Sequence, residues 1–262
     1  MATDFKTQAK EMDRLQTEVI GVPVDIGSVA GMSRHLIALA DQKKVSGGYV
    51  CVANVHMLTI AHANRIFKSI LEKAQLVTPD GMPLVWTQKV KGFKKAQRVS
   101  GPDLMLELCK LASQSGHSIY LLGTDQKTLG LLSSNLLLQF PGLQIAGVYA
   151  PEKLPEQAPL DNALVEKINA SGASFLFVGL GCPKQEYWCA THAPMLISIA
   201  LGVGAAFDFH AGTKKRPSAF IQQWGLEWLY RLLSEPGRLW KRYLINNTKF
   251  IYFSIREYLK LP

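Results

Sequence analysis

The sequence lacks the patterns that mark metal-binding and disulfide-rich proteins. Its four cysteines form no Cys-x-x-Cys pair and have no histidine series beside them, so neither a zinc site nor a disulfide framework is indicated. No Asp-x-Asp pair is present, and the sequence therefore offers no two neighbouring carboxylates for a divalent metal. We expect free thiols at Cys51, Cys109, Cys182 and Cys189 in a reducing cytoplasm, and no metal or cofactor.

Long apolar runs are missing as well. The apolar, uncharged stretch from Ala193 to Phe207 contains two glycines and is too short for a membrane span, which needs about 20 residues. The first residues, MATDFKTQAKEMDR, are charged and lack the apolar region of a secretory signal. We see no internal repeat and no low-complexity segment. These absences predict a globular cytoplasmic protein that begins with a mobile leader over residues 1–17.

The composition sets the size of the core and the kind of partner. With 262 residues, of which 48% are hydrophobic, the chain is long enough for one large, well-filled domain or a domain with an appendage. Its formal net charge of +9 predicts an anionic partner, and nucleic acid, a phosphorylated metabolite and a membrane face all fit this charge. Charge alone does not choose among the three.

Apolar and amphipathic stretches alternate between residues 18 and 212. Leucines at helical spacing followed by a glycine predict helices in PDLMLELCKLASQSG and LDNALVEKINASG. The alternation predicts an α/β fold, with a mostly parallel sheet and helices on both of its faces. The short apolar runs that predict its buried strands are YVCVAN, AQLVTPD, SIYLLG, LQIAGVY, SFLFVGLG and ISIALGVG.

The character of the chain changes at about Thr213. No further strand-like run follows, and residues 213–262 mix Arg and Lys with Trp, Tyr, Phe and Leu at helical spacing. We predict a helical appendage, broken at Pro236-Gly237. Such a pattern fits a helix that lies on anionic lipid, and it fits equally a helix that packs on the core with a solvated basic face.

Ligands of parallel α/β sheets bind at the carboxyl ends of the strands. The residues predicted at this edge are Asp80 and the turns at 123–125, 179–186 and 202–208. Two of these turns, GLGCPKQE and GVGAAFD, begin as dinucleotide-binding turns do but lack the third glycine of the fingerprint. They remain candidates for a phosphate site at a helix N-terminus, and the alternative is that the glycines only shape tight turns.

Asp80 lies in QLVTPDG, between a proline and a glycine and after a short apolar run. It could cap the following turn, as aspartates at strand ends do, or serve as a general base at the edge of the sheet. If the ligand carries a diphosphate, cationic side chains must neutralise it. The candidate cations are Arg98, Arg231, Arg238 and Arg242, and for each of them a solvated surface charge is the alternative.

Five motifs, in this order along the chain, resemble those of the WecG/TagA/CpsF glycosyltransferases, glycosyltransferase family 26. The resemblance runs from about Val19 to Tyr243. The motifs are TPDGMPLVW, RVSGPDL, VGLGCPKQE, GVGAAFDFHAG and RPSAFIQQWGLEWLYRLLSEPGRLWKRY.

The resemblance implies a Rossmann-like core that catalyses metal-independent, inverting transfer of a sugar. The donor would be a UDP-sugar carrying N-acetylmannosamine, its uronic acid or glucose, and the acceptor a polyprenyl-diphosphate-linked saccharide used for cell-surface or exopolysaccharide synthesis. The enzyme would sit peripherally on the inner face of the plasma membrane, with the appendage touching anionic lipid and helping to build the site. The donor sugar, the pathway and the oligomeric state stay open, and a homo-oligomer is compatible with the sequence.

By the same resemblance Asp80 matches the proposed catalytic base, Gln185 a substrate-binding glutamine, and Asn54 and Arg98 other pocket positions. A single displacement needs one base and stabilisation of the departing UDP, which arginines and helix N-termini provide. The substrate-binding candidates from the motifs and the edge turns are Asn54, Thr78, Arg98, Asp103, Gly179, Gly181, Lys184, Gln185, Glu186, Gly202, Asp208, Arg231, Arg238 and Arg242.

Two other functions compete with the transferase. A non-catalytic membrane-surface or scaffold protein would use the same fold and basic appendage, but it has no need of a base at the sheet edge. A nucleic-acid-binding protein would fit the net charge and the aromatic, basic appendage. The basic residues concentrate near one end rather than along an extended groove, so we expect no nucleic-acid partner.

Overall fold

The computed structural model describes residues 14–42 and 48–259. Residues 1–13 of the predicted leader lie outside the described residues, and the first strand begins at Gln16, before the leader was expected to end. The strands are β1 (Gln16–Val19), β2 (Val22–Asp25), β3 (Tyr49–Ala53), β4 (Leu76–Pro79), β5 (Ser118–Gly123), β6 (Gln144–Tyr149), β7 (Phe175–Gly179) and β8 (Ile199–Gly202).

Helices fill most of the chain between and after these strands. The helices are α1 (Val29–Asp41), α2 (Val55–Ala63), α3 (Arg65–Lys73), α4 (Met82–Val90), α5 (Gly101–Ser115), α6 (Gln126–Gln139), α7 (Asn162–Ala170), α8 (Lys184–His192), α9 (Ala206–Ala211), α10 (Ala219–Gln223), α11 (Glu227–Ser234) and α12 (Pro236–Tyr258).

Within the described residues, six strands form one parallel sheet in the order β4-β3-β8-β7-β5-β6. Each of the six predicted strands is confirmed, and each lies in this sheet. Successive side chains point to opposite faces of a strand. In β3, Cys51 and Ala53 are buried on the face of the sheet that α2, α3, α7 and α8 cover. Val50 and Val52 are buried on the opposite face, which α1, α5, α6 and α9 cover. The α/β fold with helices on both faces is therefore confirmed.

The ends of the neighbouring strands β5 and β7 approach each other closely at the carboxyl edge. Gly123 has φ +134°, and a Cβ at this position would lie 2.6 Å from the backbone of Gly179. A Cβ on Gly179 would in turn lie 2.6 Å from the ring of Phe207. A side chain larger than hydrogen fits neither position, so these two glycines are required by the packing of the strand ends.

The appendage packs against the core through its last helix. The predicted break at Pro236-Gly237 is confirmed, because α11 ends at Ser234 and α12 begins at Pro236. Phe250 of α12 is buried in the core layer that includes α2, and Glu257 binds the Lys91 ammonium at 3.1 Å. In the part of the chain that the structure describes, none of the helices combines the length and apolarity needed to cross a membrane.

An antiparallel hairpin of β1 and β2, which the sequence analysis did not predict, lies beside the edge strand β4. Asp25 at the end of β2 anchors it. The Asp25 side chain is only 2% exposed, and it accepts hydrogen bonds from Arg14 Nε at 2.8 Å and from the Val77 backbone N–H at 2.6 Å. The hairpin is thus joined to β4 by a buried, charge-assisted contact.

We expect Asp25→Asn to lower the free energy of unfolding by about 1–3 kcal/mol, because the asparagine amide has a single acceptor oxygen, whereas Asp25 accepts from Arg14 Nε with one oxygen and from Val77 with the other. Urea denaturation measures the change. The control is Glu72→Gln, which removes a half-exposed carboxylate paired with Lys68 at 3.5 Å and should cost no more than about 0.5 kcal/mol. Equal losses in the two variants would contradict the anchoring role of Asp25.

Candidate active site

The carboxyl edge of the sheet opens onto a cavity of about 400 Å³, which we call the rim cavity. Its lining includes residues 179–185 after β7 and residues 202–209 after β8. Small-molecule pockets usually span roughly 300–1,000 Å³. The glycine-rich turns predicted at this edge therefore border a recess large enough for a ligand.

A second cavity of about 130 Å³, the appendage cavity, lies between the core and the appendage. The N-terminal ends of α2 and α4 form its core side, and α10, α11 and α12 form the other. The residues that line both cavities, which we call the shared wall, are Asn54, Asp80, Glu227, Arg231 and Arg242. Two recesses thus meet at a wall that carries charges from the core and from the appendage.

Arg98 connects a core carboxylate to an appendage carboxylate. Its Nε donates to the backbone oxygen of Asp80, and its Nη2 lies 3.0 Å from Asp80 Oδ1 and 2.8 Å from Glu227 Oε2. The backbone N–H of Asp80 donates to the Ala53 carbonyl at 2.8 Å. These contacts fix Asp80 just after β4 and hold the first turn of α11 against it.

The low exposure of this cluster shifts its acid–base equilibria. The side chains of Asp80, Arg98 and Glu227 are 26%, 17% and 14% exposed. Burial raises the pKa of Asp80, the Arg98 charge opposes this, and the Glu227 charge adds to it. Burial alone would lower the pKa of Arg98, but the two carboxylates raise it. A permanently cationic Arg98 thus faces an aspartate that binds protons more tightly than an exposed one.

Gln185 and Glu186, at the start of α8, form a buried pair beside the rim cavity. Gln185 Oε1 accepts from the Gly181 N–H at 3.1 Å, and Gln185 Nε2 donates to Glu186 Oε1 at 2.8 Å. These two bonds fix the orientation of the amide, so that Gln185 can offer its remaining N–H to a ligand oxygen. Burial raises the pKa of Glu186 to about 7.

Most of the predicted binding residues come together at the two cavities. Asn54 also caps α2, because its Oδ1 accepts from the His56 N–H at 3.1 Å. Lys184 donates to the Leu154 carbonyl at 2.8 Å. The predicted residues that line the rim cavity are Asn54, Asp80, Gly179, Gly181, Lys184, Gln185, Gly202, Asp208, Arg231 and Arg242, and Arg98 lines the appendage cavity.

Three predicted binding residues lie outside both linings. Thr78 is fully buried in β4, where its hydroxyl donates to a backbone carbonyl. Asp103 accepts from Arg216 at 2.7 Å and anchors the chain that enters the appendage. Glu186 lies behind Gln185. Each of the three has a structural partner in place of a cavity position. The side chain of Arg238 lies outside the described residues.

Glu227, the appendage carboxylate of the shared wall, is not among the residues predicted from the sequence. A signal for it was present, because Glu227 stands four residues before Arg231 and such a spacing places both on one face of a helix. The contact with Arg98 joins positions 129 residues apart, which local patterns do not reveal.

The described residues contain no preformed metal site. No group of three or more His, Cys, Asp or Glu side chains there converges to hold a metal ion. Positive charge at the shared wall comes instead from Arg231 and Arg242.

Nearly the whole chain is similar to known proteins. The family model described as "Glycosyl transferase WecG/TagA/CpsF family" matches residues 17–262. An N-acetylglucosaminyldiphosphoundecaprenol N-acetyl-beta-D-mannosaminyltransferase of Bacillus spizizenii is 31% identical over 205 residues, which cover 78% of this chain and 77% of the relative. A protein of the same name from Staphylococcus aureus (strain MW2) is 24% identical over 237 residues, 90% of each chain.

Glu186 should make the stability of the protein depend on pH. Its pKa rises from 4.5 to about 7 on folding, so the folded state binds the extra proton between these values and stability falls as the pH rises through this window. Relative to Glu186→Gln, which keeps an oxygen for Gln185, the wild type should lose up to about 3 kcal/mol between the two limits.

Denaturant unfolding at a series of pH values measures this difference. Glu72→Gln, on the surface, serves as the control and should give a curve parallel to that of the wild type. Parallel curves for wild type and Glu186→Gln would show that Glu186 is ionised in the folded protein at acidic pH, contrary to the expectation.

Proposed function

We propose, since the chain belongs to the WecG/TagA/CpsF family of glycosyl transferases, that it transfers an N-acetylmannosaminyl group from a UDP-linked donor to an N-acetylglucosaminyl-diphospho-polyprenol. The names of the two relatives support the transferred sugar and the lipid-linked acceptor. The site supports a diphosphate-linked donor and an inverting, metal-free course of the reaction.

The observation that carries the proposal is the shared wall. A transferase must bring two substrates and a base to one point, and Asp80 lines both the rim cavity and the appendage cavity. We assign the donor to the larger rim cavity, because its glycine-rich turns and the N-terminus of α8 suit a diphosphate. We assign the acceptor sugar to the appendage cavity.

The reaction follows as a single displacement. Asp80 takes the proton of the acceptor hydroxyl while that oxygen forms a bond to the anomeric carbon of the donor sugar. The bond from this carbon to the UDP oxygen breaks on the opposite side, and UDP leaves with the electron pair. One carboxylate is enough for this course, and the configuration of the anomeric carbon is inverted.

Arginines of the appendage would stabilise the departing UDP. Arg231 and Arg242 line both cavities, so their charges lie beside the proposed path of the diphosphate. Fixed positive groups of this kind stabilise a developing anion without rearrangement during the reaction. The mechanism therefore requires no divalent metal.

The outer face of the appendage suits the lipid part of the acceptor. Large apolar side chains are exposed there, beside basic residues such as Lys241 and Lys249. Aromatic and aliphatic groups of this kind enter the lipid interface, and basic groups attract anionic headgroups. A peripheral position on the inner membrane face would bring the polyprenyl chain to the appendage cavity. The exposed apolar residues include Phe220, Trp224, Leu233, Trp240, Leu244, Ile251 and Ile255.

A donor panel tests the proposed function. We expect release of UDP from UDP-N-acetylmannosamine, in the presence of EDTA, only when a short-chain polyprenyl-diphosphate N-acetylglucosamine is added. UDP-glucose and the uronic acid donor are the comparisons. Absence of transfer with every donor would favour a non-catalytic scaffold, and a rate that needs added magnesium would contradict the metal-free mechanism.

Asp80→Asn should fold normally and lower kcat by about 10²–10⁴, the range usual for loss of a general base. The matched control is Asp125→Asn at the same sheet edge, since Asp125 caps α6 at 2.9 Å from the Thr128 N–H and asparagine caps equally well. Steady-state transfer and thermal unfolding are measured for both. Near-normal turnover in a folded Asp80→Asn protein would remove Asp80 from the role of base.

A further inference from the structure

We propose that Glu227 is a positioning residue for the transfer: it holds Arg98 between the core and α11, so that Arg98 orients Asp80 while leaving it able to accept a proton. This inference rests on the proposed function, in which Asp80 is the base. Glu227 itself lies on the shared wall but acts in this role through Arg98.

The hydrogen bonds of Arg98 divide its charge between two carboxylates. Nη2 carries two hydrogens and lies within hydrogen-bond distance of Asp80 Oδ1 and of Glu227 Oε2, at 3.0 Å and 2.8 Å. Among the described residues, the hydrogen bonds to the Asp80 side chain fall on Oδ1, which leaves Oδ2 to accept a proton. Arg98 thus fixes one oxygen of the base, and Glu227 fixes Arg98.

The charge of Glu227 also offsets an unfavourable effect of Arg98. A guanidinium that paired with Asp80 alone would stabilise the ionised carboxylate and make it a weaker base. The second carboxylate counters this, because its charge raises the pKa of Asp80. Glu227 therefore lets Arg98 orient the base at a smaller loss of proton affinity.

Other charged and titratable groups also lie near Asp80, and some of them affect its pKa. Arg231 of α11 lowers the pKa of Asp80. Tyr243 and Arg242 of α12 line the appendage cavity, as Asp80 does. Burial and the Arg242 charge lower the pKa of His56 to about 4, so His56 is neutral near pH 7. Among the described residues, the negative charge that opposes Arg98 and Arg231 at Asp80 is that of Glu227.

The test compares two appendage carboxylates that both bind the core. Glu227→Gln removes the charge beside Arg98. Glu257→Gln, the control, removes a charge that holds α12 through Lys91 at 3.1 Å and through the Ile20 N–H at 3.0 Å. Glu227→Asp keeps the charge on a shorter side chain. The Asp80 carboxyl is titrated by NMR in aspartate-labelled protein, and its resonance is assigned by its loss in Asp80→Asn.

We expect Glu227→Gln to lower the pKa of Asp80, to move the acid limb of the kcat profile to lower pH, and to reduce kcat near pH 7 by about tenfold, less than the ~10²–10⁴ expected for loss of a base. The KM for the donor should change much less than kcat. Glu227→Asp should recover most of the loss, and Glu257→Gln should leave both the titration and the profile unchanged.

Three results would overturn the proposal. They are an unchanged Asp80 titration in Glu227→Gln, shifts in Glu257→Gln equal to those in Glu227→Gln, and a loss of transfer in Glu227→Gln as complete as in Asp80→Asn, which would make Glu227 the base. Failure of the proposed function gives a different result. In that case the wild type transfers no sugar, while the Asp80 titration still responds to Glu227→Gln and to no change at Glu257.

Discussion

Both faces of the parallel sheet are covered by helices, and this constraint decides where polar chemistry can occur. Strand residues such as Cys51 and Val52 enter apolar layers on opposite sides of the sheet, where an unpaired polar group would cost free energy. The carboxyl edge remains open to ligands. Asn54, Asp80 and Gln185 follow three different strands and meet there, because parallel strands end at the same edge.

The contact of Arg98 with Asp80 and Glu227 joins this edge to the appendage. A largely buried ion pair gives little net stability, but loss of one partner leaves an uncompensated charge. The cluster therefore serves mainly to fix the positions of Asp80 and of α11 relative to each other. It brings α11, which also carries Arg231, to the wall where the two cavities meet. The appendage thereby supplies both a carboxylate and a cation to a site whose proposed base belongs to the core.

The two cavities differ in character, and this difference suits one to the proposed donor and the other to the proposed acceptor. The rim cavity is bordered by backbone turns and the start of α8, which suit an anionic donor, whereas the appendage cavity is bordered by Trp228, Tyr243 and polar groups of α10–α12. A donor in the rim cavity and an acceptor in the appendage cavity would lie on opposite sides of Asp80. The displacement would then take place where the two cavities meet, beside the shared wall. The exposed apolar face of the appendage would hold the lipid-linked acceptor close to its membrane.

The sequence by itself determined the six sheet strands, the α/β class and the break at Pro236, because hydrophobic period and turn residues are local properties of the chain. Most of the residues at the cavities were predicted from the turns at the sheet edge and from the resemblance of the motifs to a known family. Tertiary structure decided the β1–β2 hairpin, held by Asp25, and the roles of Thr78 and Asp103, whose partners lie elsewhere in the chain. It also buried Glu186 behind its neighbour Gln185. It also decided the place of Glu227, 129 residues from Arg98. A contact over such a separation depends on how the appendage packs, and no local pattern encodes that packing.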